Sequence, residues 1–277
     1  MTQRLNPSTT PLTVFVEGIG LLGPGLTNWD QGRQRLEGSV PYEAERCVLP
    51  LPMALPSAER RRAGAVVKVS LAVGQEAVDA SGLQANALAS VFTSSSGDAV
   101  NCHEICKALA SGDRLISPTR FHNSVHNASS GYWSISSGAM ASSSVLCARD
   151  ANFAAGLLEA MTQVVVDGNP VLLVAYDTDY PEPLLSKRPL PDTMGVALVL
   201  SPTRSARSLA QVTLASDSFL THAAANTMDN DALETLRQTI PAARALPLLQ
   251  AMAKGQAGPL VLAYLDDMQM EVEVAPC

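Results

Sequence analysis

The chain has 277 residues, enough for one large domain or two small ones. Because 47% of the residues are hydrophobic but only 4% are aromatic, the core must consist of Ala, Val and Leu, which favours helices on a central sheet over a β-sandwich. The net charge of −7 argues against nucleic acid as a partner, since binding phosphates requires basic patches.

Cysteine usage and hydropathy indicate a reducing, aqueous compartment. The five cysteines are odd in number and the chain is not small, so a disulfide framework is not expected. No apolar run approaches the ~20 residues of a membrane helix. Residues 1–11 are polar, without the apolar core of a leader, and are predicted to be disordered. We therefore expect a cytoplasmic protein with no membrane span.

The N-terminal segment begins with a predicted strand over residues 13–17 and a glycine loop over residues 18–25. The loop has the spacing G-x-G-x-x-G, but Pro24 and the lack of an acidic residue about 20 positions on favour a tight turn over a nucleotide site. A helix over residues 29–36, a proline-rich loop over 47–56 and a long helix over 57–81 follow.

Strands and helices alternate through the rest of the chain, which predicts the α/β class. Strands are predicted over residues 88–93, 143–147, 171–176, 195–200 and 210–215, with helices over 98–110, 124–137, 150–166, 233–240 and 246–254. A hairpin is predicted between residues 260–264 and 268–274.

Two clusters have metal-like spacing, but neither is complete. His122 and His126 lie one helical turn apart without the glutamate of an H-E-x-x-H motif, and the group of Cys102, His103 and Cys106 lacks a fourth ligand. We expect packing or hydrogen-bonding roles for these residues and predict neither a metal nor a cofactor.

Cys147 precedes a predicted helix N-terminus, where the helix dipole lowers the pKa of a thiol. A cysteine nucleophile also needs a base, and no histidine of this chain lies in a recognisable catalytic motif. A buried, inert thiol is therefore the favoured interpretation.

Several separated motifs resemble the β-ketoacyl-acyl-carrier-protein synthases. Residues 14–38 resemble their opening strand, glycine loop and tryptophan-containing helix, and residues 115–161 resemble the segment from the S-P-F region to the nucleophile helix. Asn127, Gly131 and Gly138 have the family's N-x3-G-x6-G spacing, and residues 172–175 and 195–200 match the next two strands. The resemblance implies a thiolase-like fold, in which a mixed central sheet carries helices on both faces. It implies a single truncated domain over residues 12–277, with the family's N-terminal half over 12–201 and an extension over 202–277.

The sequence departs from this family at its catalytic residues. Without gaps, Asp150 occupies the position of the nucleophilic cysteine; a three-residue deletion would place Cys147 there, and a smaller shift would place Ala148. A carboxylate at Asp150 can cap the following helix but cannot form a thioester. The family's two histidine motifs, H-G-T and G-H-N, are absent from the sequence. The sequence therefore predicts no catalytic residue.

The segments FHNSVHNASSGYWSI and DANFAAGLLEA are similar to the short chain-length factors of bacterial aryl-polyene synthesis. That resemblance implies a heterodimer with a full-length ketosynthase, which supplies the Cys-His-His chemistry. This chain would shape the tunnel for the acyl chain that an acyl carrier protein delivers. An exposed apolar interface would favour a homodimer when the chain is alone.

In this family the strand before the nucleophile and the neighbouring helix pack across the dimer axis. The small side chains of Ser142, Ser143 and Ser144 would permit close backbone approach there. Aromatic anchors or pocket walls are expected among nearby residues, with ordinary core packing as the alternative for Tyr132 and Trp133. The predicted interface or tunnel residues are Phe121, His122, His126, Asn127, Tyr132, Trp133, Ser142, Ser143 and Ser144.

Two other functions remain open at this point. The chain could be a small acyltransferase or thioesterase-like enzyme using Cys147 with His122 or His126. It could instead be a scaffold that docks acyl carrier protein without affecting chain length. The basic run at residues 60–62 is predicted to be a solvated helix start, although acidic carrier proteins could use it.

Overall fold

The computed structural model describes residues 11–215 and 219–277, so the predicted disorder of residues 1–11 lies, except for Pro11, outside the described residues. The described helices are α1 (Trp29–Glu37), α2 (Ser57–Arg62), α3 (Ala65–Ser81), α4 (Ala99–Ala110), α5 (Pro118–Asn123), α6 (Ala128–Ser137), α7 (Asn152–Asp167), α8 (Leu184–Lys187), α9 (Asp231–Thr239) and α10 (Leu246–Ala253). The strands are β1 (Leu12–Leu22), β2 (Ala89–Ser94), β3 (Ser143–Cys147), β4 (Val171–Asp177), β5 (Met194–Ser201), β6 (Ala210–Leu214), β7 (Leu220–Thr221), β8 (Gly258–Leu262) and β9 (Gln269–Pro276).

All of these strands form one mixed sheet. Its order is β3-β2-β4-β5-β1-β6-β9-β7, and β8 also pairs with β9. β2 is parallel to both β3 and β4, whereas the other pairs are antiparallel. The predicted mixed central sheet is confirmed.

Both faces of the sheet are covered, because successive side chains of a strand point to opposite sides. Leu172 and Val174 of β4 join the core formed with α3 and α6. Leu173 and Ala175 join the opposite core, which contains α7 and α10. Helices therefore lie on both faces, as the sequence predicts.

The glycines near the N-terminus do not form the predicted loop. β1 continues through Gly18 and Gly20 to Leu22. An added Cβ would lie 2.1 Å from the carbonyl oxygen of Ala77 at Gly18 and 1.9 Å from that of Val73 at Gly20. These glycines let α3 approach the strand closely, and the turn that follows begins only at Gly23.

One predicted helix is divided in two, and another is shortened. Gly64 separates α2 from α3 in an extended conformation (ψ −179°), and the side chain of Asn123 donates to the carbonyl of Arg62 at this break (2.9 Å). The predicted helix over 124–137 begins only at Ala128, because Ser124 closes the end of α5 by donating to the carbonyl of Phe121. The bond from Asn123 to Arg62 spans 61 residues, so local sequence does not reveal the break at Gly64.

Residues after β5 extend the same sheet. β6 pairs with β1 on one side and with β9 on the other. The predicted C-terminal hairpin is confirmed as β8 and β9, with its first strand shifted two residues towards the N-terminus. Among the described helices, none combines the length and the apolar character needed to cross a bilayer.

Candidate functional site

The candidate site lies where the three parallel strands end. Because β2, β3 and β4 are parallel, their carboxyl ends meet at one edge of the sheet, where α/β proteins place their ligands. Residues 95–97 follow β2, residues 148–151 lead from β3 into α7, and residues 178–180 follow β4. The predicted nucleophile region therefore lies at this edge.

Asp177 joins these segments from inside the protein. Its carboxylate accepts hydrogen bonds from the backbone N–H of Ser95, the side chain of Asn152 and the backbone N–H of Ala242, each at 2.9 Å. Burial raises the pKa of Asp177 to about 6, although these donors oppose the shift. Sequence analysis missed Asp177. The pattern that could have revealed it is a carboxylate at the end of the apolar strand VLLVAYD.

Asp150 lies in a 3-10 turn (Arg149–Ala151) at the start of α7. Its carboxylate forms a hydrogen-bonded ion pair with Arg188, and its other oxygen lies 3.6 Å from the guanidinium of Arg244. The prediction that Asp150 caps the helix is wrong. Ala151 occupies the N-cap position of α7, and no side chain accepts a capping hydrogen bond there. The carboxylate of Asp150 therefore serves as a counterion for the two arginines. A carboxylate cannot form the thioester of ketosynthase chemistry.

Cys147 is exposed, so the favoured prediction of a buried thiol is wrong. Its Sγ donates to the carbonyl oxygen of Ser95 at 3.2 Å. Among the described residues no histidine forms a hydrogen bond with this thiol. The structure thus places Cys147 at the end of β3, where its thiol bonds to Ser95.

The two histidines considered with Cys147 differ in environment. His122 lies on α5 and is exposed. His126 is half-buried beside Gly97, and burial lowers its pKa. Its buried Nε2 has no hydrogen-bond partner among the described residues. Within residues 11–215 and 219–277, no group of three or more His, Cys, Asp or Glu side chains is arranged to hold a metal ion.

A cleft of about 900 Å³ opens beside Asp150 and reaches the β8–β9 hairpin. Its charged lining side chains are Arg149, Asp150, Arg237, Arg244, Asp266 and Asp267. Three positive and three negative groups balance, and Arg237 is also paired with Glu234. The cleft therefore has no excess positive charge for an anionic ligand.

The predicted interface residues separate into buried and exposed groups. Tyr132 and Trp133 are only 3% and 1% exposed and belong to the core around α3. Their predicted role as direct interface anchors is therefore wrong, and core packing accounts for them; a role as pocket walls stays a prediction. Phe121 is 65% exposed on α5. Asn127, Ser142 and Ser143 are also exposed, whereas Ser144 is half-buried and accepts a hydrogen bond from Gln163.

Comparisons with known proteins point to one family. The model of the β-ketoacyl synthase N-terminal domain matches residues 29–257. No curated protein sequence matches this chain.

Solved structures show the same fold. A chain from a ketosynthase in complex with its chain length factor, from Xenorhabdus doucetiae, is 22% identical with a TM-score of 0.69, covering 94% of this chain and 99% of that one. The ishigamide ketosynthase/chain length factor matches with 10% identity, a TM-score of 0.70 and coverage of 95% and 99%. A type II polyketide synthase ketosynthase complex with its acyl-carrier protein matches with 12% identity, a TM-score of 0.73 and coverage of 97% and 100%. These are thiolase-like ketosynthase folds, which confirms the predicted fold class.

Proposed function

The chain belongs to the β-ketoacyl synthase N-terminal domain family, and on this premise we propose that it is a non-catalytic chain-length-factor subunit. It pairs with a full-length ketosynthase in aryl-polyene or fatty-acid-like polyketide synthesis. The observation that carries this proposal is the ion-paired Asp150 in the place of a nucleophile. Matches that cover nearly all of chains from ketosynthase–chain length factor structures support it.

The two edges of the sheet differ, and the difference supports a partner chain at β3. At the β8 edge, Asn226 both donates to the carbonyl of Val261 (2.8 Å) and accepts from its N–H (2.7 Å), so this edge is occupied. At the other edge, β2 is the one described strand that pairs with β3. An open strand edge is a template for pairing with another chain. The small, exposed side chains of Ser142 and Ser143 permit that approach.

Exposed apolar side chains cluster in sequence between β2 and β3. Leu115 is 79% exposed, Phe121 65%, Val125 51% and Met140 94%. Contiguous apolar patches are typical of a surface that a partner covers, and we propose that these residues contribute to one. Phe121 is the aromatic side chain among them, and we propose it as an anchor at the ketosynthase or as the end wall of the acyl tunnel.

The proposed contact with acyl carrier protein rests on the arginines of α2. Arg60 donates to the carbonyls of Met53 and Leu55, and Arg62 pairs with Glu59. Two of the three arginines of α2 are therefore engaged within the chain. Arg61 is exposed and is the side chain we propose for contact with an acidic carrier protein.

The proposal is tested by co-expressing this chain with the full-length ketosynthase of its own pathway and weighing the complex by native mass spectrometry. We expect a one-to-one complex. Ser142→Arg should abolish it, because a long charged side chain blocks the approach to β3. Thr203→Arg, an exposed substitution on the turn after β5, should leave the complex intact. A monomeric chain in the presence of the ketosynthase, or a complex that tolerates Ser142→Arg, contradicts the proposal.

A further inference from the structure

Helix α4 carries two thiols on its exposed surface. Cys102 and Cys106 are both exposed, and Leu109, three residues further on, is 51% exposed. Residues at i, i+4 and i+7 lie on one side of a helix. The exposed side of α4 is thus a narrow apolar stripe with two cysteines at successive turns.

The two thiols can meet if one turn of the helix tightens. Residues four apart on an α-helix have Cα atoms about 6 Å apart, inside the range of about 4.4–6.8 Å that disulfides span. Their Cβ atoms lie about 5–6 Å apart in a regular helix, beyond the about 3.5–4.5 Å of a disulfide, so the bond requires this turn to shorten. Burial raises the pKa of the Cys102 thiol, and the neighbouring Cys106 thiol adds to that shift. The helix begins with a side-chain cap from Asp98 and reaches Ala110, so its backbone holds both residues in register.

We propose that Cys102 and Cys106 form a reversible disulfide across one turn of α4, with hydrogen peroxide as the oxidant. The thiolate of one cysteine attacks a peroxide oxygen, the O–O bond breaks, and the released hydroxide takes up a proton to give water. The resulting sulfenic acid is attacked at sulfur by the second thiol, which loses its proton as the second water leaves. Two thiols are oxidised by two electrons and one peroxide is reduced to two waters.

The helix makes this disulfide easy to reverse. The two Cβ atoms project from successive turns of a hydrogen-bonded helix, so the bond forms only if that turn tightens. Strained, exposed disulfides have the higher reduction potentials typical of regulatory bonds. A dithiol such as dithiothreitol should therefore restore both thiols without unfolding the chain.

The consequence for partner binding rests on the proposed function. Phe121 lies on α5, which packs against α4, so the dithiol lies on the helix next to the one that carries the proposed anchor. Oxidation alters the shape of α4 and removes two thiols from this surface. We expect the oxidised chain to bind the ketosynthase at least about tenfold more weakly, and the bound ketosynthase to protect both thiols from oxidation.

Trypsin should release residues 69–107 as one peptide, because this segment contains no internal Lys or Arg and ends at Lys107. Cys102 and Cys106 are the only cysteines of this peptide, so its mass reports their oxidation directly. The isolated chain is treated with hydrogen peroxide, alkylated with iodoacetamide, digested and weighed. We expect this peptide to lose about 2 Da and to take up no alkyl group, with recovery of both alkylation sites after dithiothreitol. Cys102→Ser and Cys106→Ser should each abolish the mass loss, and Cys147→Ser should leave it unchanged.

Two results overturn the proposal. One is a wild-type peptide that keeps two alkylatable thiols or gains oxygen without losing hydrogen. The other is a mass loss that persists in Cys102→Ser. The mass measurement needs no ketosynthase, so its failure is distinct from failure of the proposed pairing. An oxidised chain that binds the ketosynthase as tightly as the reduced one refutes the effect on binding alone.

Discussion

Asp177 should make the stability of this protein depend on pH in an unusual direction. In the folded protein burial raises the pKa of this carboxyl from 3.8 to about 6. The folded state therefore binds its proton more tightly than the unfolded state does. The stabilisation that this group contributes is complete below about pH 4 and is lost as the pH rises through about 6.

The magnitude follows from the two pKa values. A shift of about two pH units corresponds to about 3 kcal/mol when the whole range is covered, and about 2 kcal/mol falls between about pH 4 and pH 7. Other carboxyls titrate in this range and obscure the effect in the wild type alone. The difference between wild type and Asp177→Asn isolates it.

The substitution also has a pH-independent cost. All three partners of Asp177 donate hydrogen bonds, and the amide nitrogen of asparagine would face at least one of them. We expect Asp177→Asn to be destabilised by about 1–3 kcal/mol at about pH 4. That deficit should shrink by about 2 kcal/mol as the pH is raised to about 7.

Urea unfolding followed by circular dichroism, at intervals from about pH 4 to pH 7, measures both proteins. Equal pH dependence in wild type and variant would refute the reasoning, because it would mean that Asp177 titrates at the same pH in the folded and unfolded states. Glu234 is a control of the opposite sign. Its ion pair with Arg237 holds its pKa at about 2, so it contributes stability above about pH 4.5 that is lost as the pH falls.

Three further predictions concern the site and the packing. In Asp150→Cys the two arginines should hold the pKa of the new thiol below the usual value of about 8.5. The rate of alkylation by iodoacetamide, measured against pH, gives this pKa, and a midpoint at or above about pH 8.5 contradicts the prediction. Phe121→Ala should change the unfolding free energy by less than about 0.5 kcal/mol, measured by scanning calorimetry, because the side chain is exposed. It should weaken ketosynthase binding about tenfold, measured by titration calorimetry, and an unchanged affinity counts against the anchor role. Gly20→Ala should cost about 3 kcal/mol in urea unfolding, because the added methyl meets a carbonyl of α3 at 1.9 Å; a variant as stable as wild type would disprove the close approach.

Sequence patterns predicted the parts of the fold that depend on local hydrophobic periodicity. The apolar runs at β2, β4 and β5 are recognisable because burial on both faces of the sheet leaves a continuous signal. Helix α7 is recognisable by apolar residues at helical spacing. The glycines of β1 predict a loop from the sequence, since local sequence does not distinguish a turn from a strand that a helix approaches closely.

The charged partners at the candidate site could not be predicted in the same way. Arg188 is 38 residues from Asp150, and Arg244 comes from the C-terminal segment, so no spacing rule connects them. Asp177 likewise reaches Ala242 across 65 residues. Only the fold brings these groups together, whereas the family resemblance had already located Asp150 at the start of α7.

In the proposed role, this chain assists a ketosynthase without performing chemistry itself. The most direct measurement is chain elongation by the reconstituted full-length ketosynthase with its acyl carrier protein, with and without this chain. We expect full-length product only when both subunits are present, and equal activity when this chain carries Cys147→Ala. Unchanged product length and yield from the ketosynthase alone, or loss of activity in Cys147→Ala with the complex intact, would contradict it.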